Sequence, residues 1–255
     1  MRALGIALAV VLLAIPAYAA DTNADLTLAR QRIESADFKA SGHLVRVMPD
    51  GTRISSPFSI KGHWFPKVLR VFVQLGQPAE THKEMRENIL LEMRSDGLIT
   101  IRVARPGGAA PITVPVDRWN DNAIGPGFDL EDFAEPQYYW PIQSVEENVK
   151  YGARDCNLVT SKPGAEVRTN YAEIRTWLDQ SIGFPVYAEK TLKTSAAVKE
   201  FTYLGLRSEQ GVWSAHQVEA KIKGQQGSTL LIIERGSPKA KLSATDFSAA
   251  QLMHF

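Results

Sequence analysis

From Phe38 onward the chain mostly alternates apolar and polar positions, the period of half-buried strands. Before that, Asp25–Phe38 has helical spacing. Leu26, Ala29 and Ile33 share one face, and Arg30, Arg32 and Glu34 the other. A first strand ends at the turn Pro49-Asp50-Gly51, and Asp-Gly is a strong hairpin signal. Its partner carries Ile54, Phe58, Ile60 and Trp64 on one parity, and Leu69, Val71, Val73 and Leu75 alternate in the next strand. Residues 79–96 are ambiguous, because Met85, Ile89 and Met93 have helical spacing. Ser95-Asp96-Gly97 instead favours strands over 88–94 and 98–105, preceded by a polar loop. Strands resume after Pro141: around Cys156 and Leu158, over Tyr171–Asp179, and through FPVYAEKTL, VKEFTYLGL, VWSAHQVEAKI and STLLIIER. The tail, Leu242–Leu252, reads as a loop or short helical turn around Asp246-Phe247.

One stretch breaks the alternation. Phe128–Trp140 places five aromatic residues in thirteen positions, and Leu130, Phe133 and Ala134 have i, i+3, i+4 spacing. It predicts a short helix capped by Asp129 and stopped by Pro136. Such an apolar helix must lie against the sheet as a lid or plug. The strands are apolar along most of the chain, with few helices to cover them. A sheet of roughly eight to eleven strands then either closes into a barrel or curves around its helices and leaves a lined cavity. A packed sandwich without a cavity fits the periodicity equally well.

Composition narrows the setting. Arg2, the apolar run Leu4–Ile15, Pro16 and Ala17-Tyr18-Ala19 form a secretory-signal pattern, with cleavage expected after Ala19. No later run approaches the roughly 20 apolar residues of a transmembrane helix. No cysteine follows the cleavage position, so a lipid anchor there is excluded and export to the periplasm is expected. Residues 20–255 form one domain on this reading. The chain carries 29 basic and 28 acidic residues. Loss of Arg2 takes the formal charge from +1 to zero, which gives no reason to expect nucleic acid as a partner. The single cysteine, Cys156, allows no internal disulfide and reads as a small buried hydrophobe.

Catalytic and metal signals are weak. The five histidines have no metal-ligand spacing, and no cofactor is expected. His216 lies mid-strand on the parity of Val212, Val218 and Ile222, which predicts a core or pocket histidine. Gly125-Pro126-Gly127 follows a loop rather than a strand, so it is not a dinucleotide motif. No nucleophile elbow or phosphate loop is present. A thiol enzyme built on Cys156 is the enzymatic alternative. Asp129, Glu131 and Asp132 read as helix-capping acids rather than an acid pair.

Several segments together resemble the LolA-like outer-membrane lipoprotein-sorting proteins: SGHLVRVMPDG followed by FSIKG, the central GPGFDLEDF, YGARDCNLV, YAEIRTWLD with FPVYAE, GVWSAHQVEA, and TLLIIE with a late Asp246-Phe247-Ser248. Phe128, Glu131 and Asp132 match the family's central motif. Gly127 stands where an aspartate is usual, and Leu130 where a tyrosine is usual.

The resemblance implies a mainly β fold with a few helices: a curved antiparallel half-barrel, LolA/LolB-like, with helices covering the concave face. It implies a non-enzymatic periplasmic carrier, a monomer, that shelters the acyl chains of a lipid or acylated protein. An inner-membrane exporter and an outer-membrane acceptor are the implied partners. A sensor or interaction module of the same fold is the alternative. The residues expected to line the cavity are Trp64, Leu69, Val71, Phe128, Leu130, Phe133 and Trp140.

Overall fold

The computed structural model describes residues 24–76, 87–121 and 124–255. The expected signal segment, Met85 and the polar loop before residue 87 lie outside the described residues. Helix α1 spans Ala24–Glu34. The strands are β1 Asp37–Val47, β2 Arg53–Phe65, β3 Val68–Leu75, β4 Glu87–Arg94, β5 Ile99–Ala104, β6 Ile112–Thr113, β7 Ile142–Tyr151, β8 Arg154–Lys162, β9 Tyr171–Asp179, β10 Phe184–Leu192, β11 Val198–Leu204, β12 Arg207–Glu209, β13 Val212–Ser214, β14 Gln217–Ile222 and β15 Ser228–Ser237; a short helix α2, Ala249–Leu252, ends the chain.

Thirteen strands form one open antiparallel sheet, in the order β6-β5-β4-β3-β2-β1-β15-β14-β11-β10-β9-β8-β7. The chain meanders from β1 in the middle to one edge at β6. Residues 114–141 then carry it to the opposite edge at β7, and it meanders back until β15 pairs with β1. The sheet is larger than the sequence rhythm suggested, because β6 falls in a Gly/Pro/Ala-rich stretch that reads as a connection and no separate strand was expected over 142–151. Strands β12 and β13 form a separate two-stranded ribbon inserted between β11 and β14.

The crossing segment shapes the core. Trp119, Phe128, Leu130, Ala134 and Tyr138 are buried with Leu26, Ala29 and Ile33 of α1 against one face of the sheet. That face presents Leu69, Val71 and Val73 of β3 and Ile89, Leu91 and Met93 of β4. The other parity was expected to meet solvent, yet Phe72 and Leu90 are also buried. Phe247 and Leu252 of the tail cover them on the reverse face. The Asn88 amide fastens this tail by donating to the carbonyls of Leu252 (3.0 Å) and His254 (2.8 Å).

The short helix expected between Asp129 and Pro136 is instead a 3-10 turn, Leu130–Phe133, and a second 3-10 turn, Pro136–Tyr139, follows it. Ala134 between them is extended (φ −132°, ψ 166°). Pro136 therefore opens the second turn, where its missing N–H is harmless. Just upstream, Gly127 has φ +75°, and a Cβ there would come within 2.5 Å of the Lys221 backbone. The glycine at the usual aspartate position is thus required by this close crossing. The stretch VWSAHQVEAKI, read as one strand, splits into β13 and β14. His216 sits in the break and is exposed, not buried, because the chain leaves the sheet there.

Candidate functional site

A cavity of about 350 Å³ lies on the face that carries α1. Its floor comes from the central strands, with Phe58, Leu69, Val71, Val218 and Leu231. Ile33 and Ala36 close it from α1 and its exit, and Phe133 and Glu135 from the crossing segment. Phe184 and Tyr203 meet edge to face at 6.1 Å on the third side. The β12–β13 hairpin forms the fourth. The volume sits at the low end of small-molecule sites, about 300–1,000 Å³. Charged residues also line it, among them Asp37, Lys39, Arg207 and Glu209, and Arg32 donates to Glu135 at 2.7 Å.

Of the seven residues expected to line a cavity, Leu69, Val71 and Phe133 border this one. Phe128 and Leu130 are buried in the core beneath the crossing segment; Phe128 meets Phe133 edge-on at 5.0 Å. Trp64 is half-buried and stacks on Tyr139 at 6.1 Å. Trp140 lies in a separate buried cluster with Tyr171 and Ile174. The strand parity of Phe58 and Ile60 and the stripe of α1 were legible signals for further wall residues. The hairpin carried only its glycines, Gly205 and Gly211, as a signal.

Beside the cavity the crossing segment is held by a buried polar hub. Lys190 donates to Asp132 at 2.7 Å, and Lys199 bridges Asp132 (3.2 Å) and Asp129. The Tyr171 hydroxyl donates to Asp132 at 2.6 Å and accepts from Lys199 at 2.9 Å. Glu131, fully buried, accepts from the Thr169 hydroxyl and from the Asn170 N–H (3.2 Å). The capping role expected for these acids is present, since Asp132 accepts from the Asp129 N–H at 2.9 Å. Their lysine partners were not foreseen. Burial alone would raise the Asp132 carboxyl, but the two ammonium groups outweigh it and hold it down to about 2. Glu131 has no such partner in direct contact, and burial pushes it up to about 7 against its two hydrogen bonds. Two lysines balance Asp129 and Asp132, so these four groups anchor the segment as paired charges.

Cys156 is buried with Leu158, Trp177 and Val186, and burial raises its thiol. It does not border the cavity. Among the described residues no group of three metal-binding side chains comes together, and no helix is long and apolar enough to cross a membrane.

A family model described as "-like: Uncharacterized protein" matches residues 112–254, more than half of the chain. The chain belongs to this family. The matched span contains the crossing segment, the whole polar hub and the hairpin. No curated protein matches the sequence.

Solved structures show the same fold. A DUF1329 family protein from Desulfovibrio piger superposes with TM-score 0.77 at 14% identity, over 90% of this chain and 98% of that one. A putative outer membrane lipoprotein-sorting protein domain from Vibrio parahaemolyticus gives 0.74 at 16%, over 89% and 97%. A LolA superfamily protein from Nitrosomonas europaea gives 0.63 at 16%, over 88% and 98%. The family member described here therefore has a LolA-like fold.

Proposed function

We propose that this protein is a periplasmic, non-enzymatic carrier that shelters the acyl chain of a lipid or lipoprotein in the cavity beneath α1. The observation that carries this reading is the apolar cavity itself, walled by the central strands, α1 and the crossing segment. The likeness in fold to a lipoprotein-sorting domain and a LolA superfamily protein supports it. On this reading the α1 face is the concave one. Residues 1–19 are the cleaved export signal, and residues 20–255 act as a single monomeric carrier domain. The partners are an inner-membrane donor and an outer-membrane acceptor.

Burial does the binding. Ten sequestered methylenes gain about 8 kcal/mol, the free energy of a complex near micromolar before ordering losses. The test is organic extraction of natively purified protein followed by mass spectrometry. An acyl lipid in near-stoichiometric amount is expected. A clean extract, from protein that also fails to take up the apolar dye N-phenylnaphthylamine, overturns the carrier reading.

A further inference from the structure

We propose that the β12–β13 hairpin is a hinged flap that opens to admit an aliphatic chain to the cavity. The identity of what enters rests on the carrier reading; the motion of the hairpin does not.

The geometry is unusual for a meander. Strands β11 and β14 pair from Lys199↔Ile222 to Leu204↔Gln217, so a tight turn would join them. The chain instead inserts Gly205–His216 and folds most of it into its own ladder, Arg207↔Ser214, Ser208↔Trp213 and Glu209↔Val212. That ladder does not join the large sheet. Its tip is a tight turn with positive φ at Gln210 (52°) and Gly211 (79°), which matches the twist of a two-residue hairpin. The ribbon is therefore internally well made.

It is fastened only at its root. The His216 N–H donates to the carbonyls of Leu204 (3.0 Å) and Gly205 (3.2 Å), and the His216 carbonyl accepts from the Ile233 N–H at 2.8 Å. Gly205 has φ +61°, and a Cβ there would come within 2.9 Å of the His216 Cβ. The root is thus a narrow glycine pivot. Beyond it, no ion pair or side-chain hydrogen bond joins the hairpin to another described residue. Arg207, Glu209 and Val212 are exposed, and Trp213 is half-buried at the cavity wall. A two-stranded ribbon is marginal alone in water. Val212 and Trp213 line the cavity, which gives this ribbon a closed resting position that an entering chain would replace. Its separation from the large sheet and its mostly exposed residues mark it as a low-stability unit.

Two measurements test the flap. In the first, Arg207–Ser214 is replaced by Gly-Gly, and the release rate of bound N-phenylnaphthylamine is followed by stopped flow. Release at least about tenfold faster is expected, since affinity differences among variants reside mainly in dissociation. Unchanged rates with binding intact overturn the proposal. In the second, amide hydrogen exchange is read on the unaltered protein. Residues 207–214 should exchange faster than β11 and β14 and slow on dye binding. Protection equal to that of the sheet overturns the flap. Protein that binds no dye counts against the carrier reading, and the exchange contrast in the free protein still decides whether the hairpin is hinged.

Discussion

Burial of Glu131 predicts a pH dependence of stability. The residue faces Thr169 and Asn170 directly, with Asp132 and Lys190 as charged neighbours in the hub. Its folded carboxyl titrates at about 7, against an ordinary value of 4.5. The folded state thus holds the proton more tightly. Its contribution is fully present below about pH 4.5 and lost as pH rises through about 7, a span worth about 3 kcal/mol. Asp132 acts oppositely, but its window lies below about pH 4, so the two effects separate. Urea unfolding should show stability falling from about pH 5 to about pH 8, and Glu131→Gln should flatten that slope. A slope unchanged by the substitution would assign the pH response elsewhere. The acids of FDLEDF were legible as turn-starters from position alone. Lys190 and Lys199 were not: each shares the parity of a buried neighbour, Ala188 or Phe201, but a lysine close to a strand end reads as solvated. Only the crossing segment laid over that face makes it an interior position.

At the scale of elements, the crossing segment is what lets one chain build both halves of the sheet. It leaves one edge, passes β14 at Gly127 and arrives at the other edge through two 3-10 turns. Its anchor is the lysine pair. Removing one member leaves buried carboxylates uncompensated, so Lys199→Met should destabilise by about 3–5 kcal/mol. Simultaneous replacement of Asp129 and Lys199 by apolar residues should recover part of that loss, read by denaturant midpoints at constant m-value. The aromatic density of Phe128–Trp140 made this element legible as a departure from strand rhythm. Its division was not, because i+3 and i+4 spacings coincide over one turn and only Ala134 marks the break. The hairpin was hidden for the same kind of reason. Apolar alternation runs unbroken through Ala215-His216, and the glycines at 205 and 211 were the sole cues.

Across the whole molecule, a large sheet with a covered face is the feature most directly forced by composition, whereas the cavity was not legible, since a packed sandwich fits the same periodicity. Long apolar strands with few helices require either closure or a covered face, and the molecule covers a face. Filling the space tests what it is for. Val218→Phe places a ring over the cavity floor, and dye affinity should fall at least about tenfold while the melting temperature changes little. An affinity unchanged by the ring would locate binding elsewhere. The middle of the sheet, finally, is a seam between its first strand and its last, since β1 pairs with β15. The register runs from Lys39↔Ser237 to Val47↔Ser228, so nearly the entire chain must be made before the central ladder zips. Contacts of such long range form slowly. A chain still being synthesised therefore exposes the inner edge of β1 until β15 arrives to pair with it.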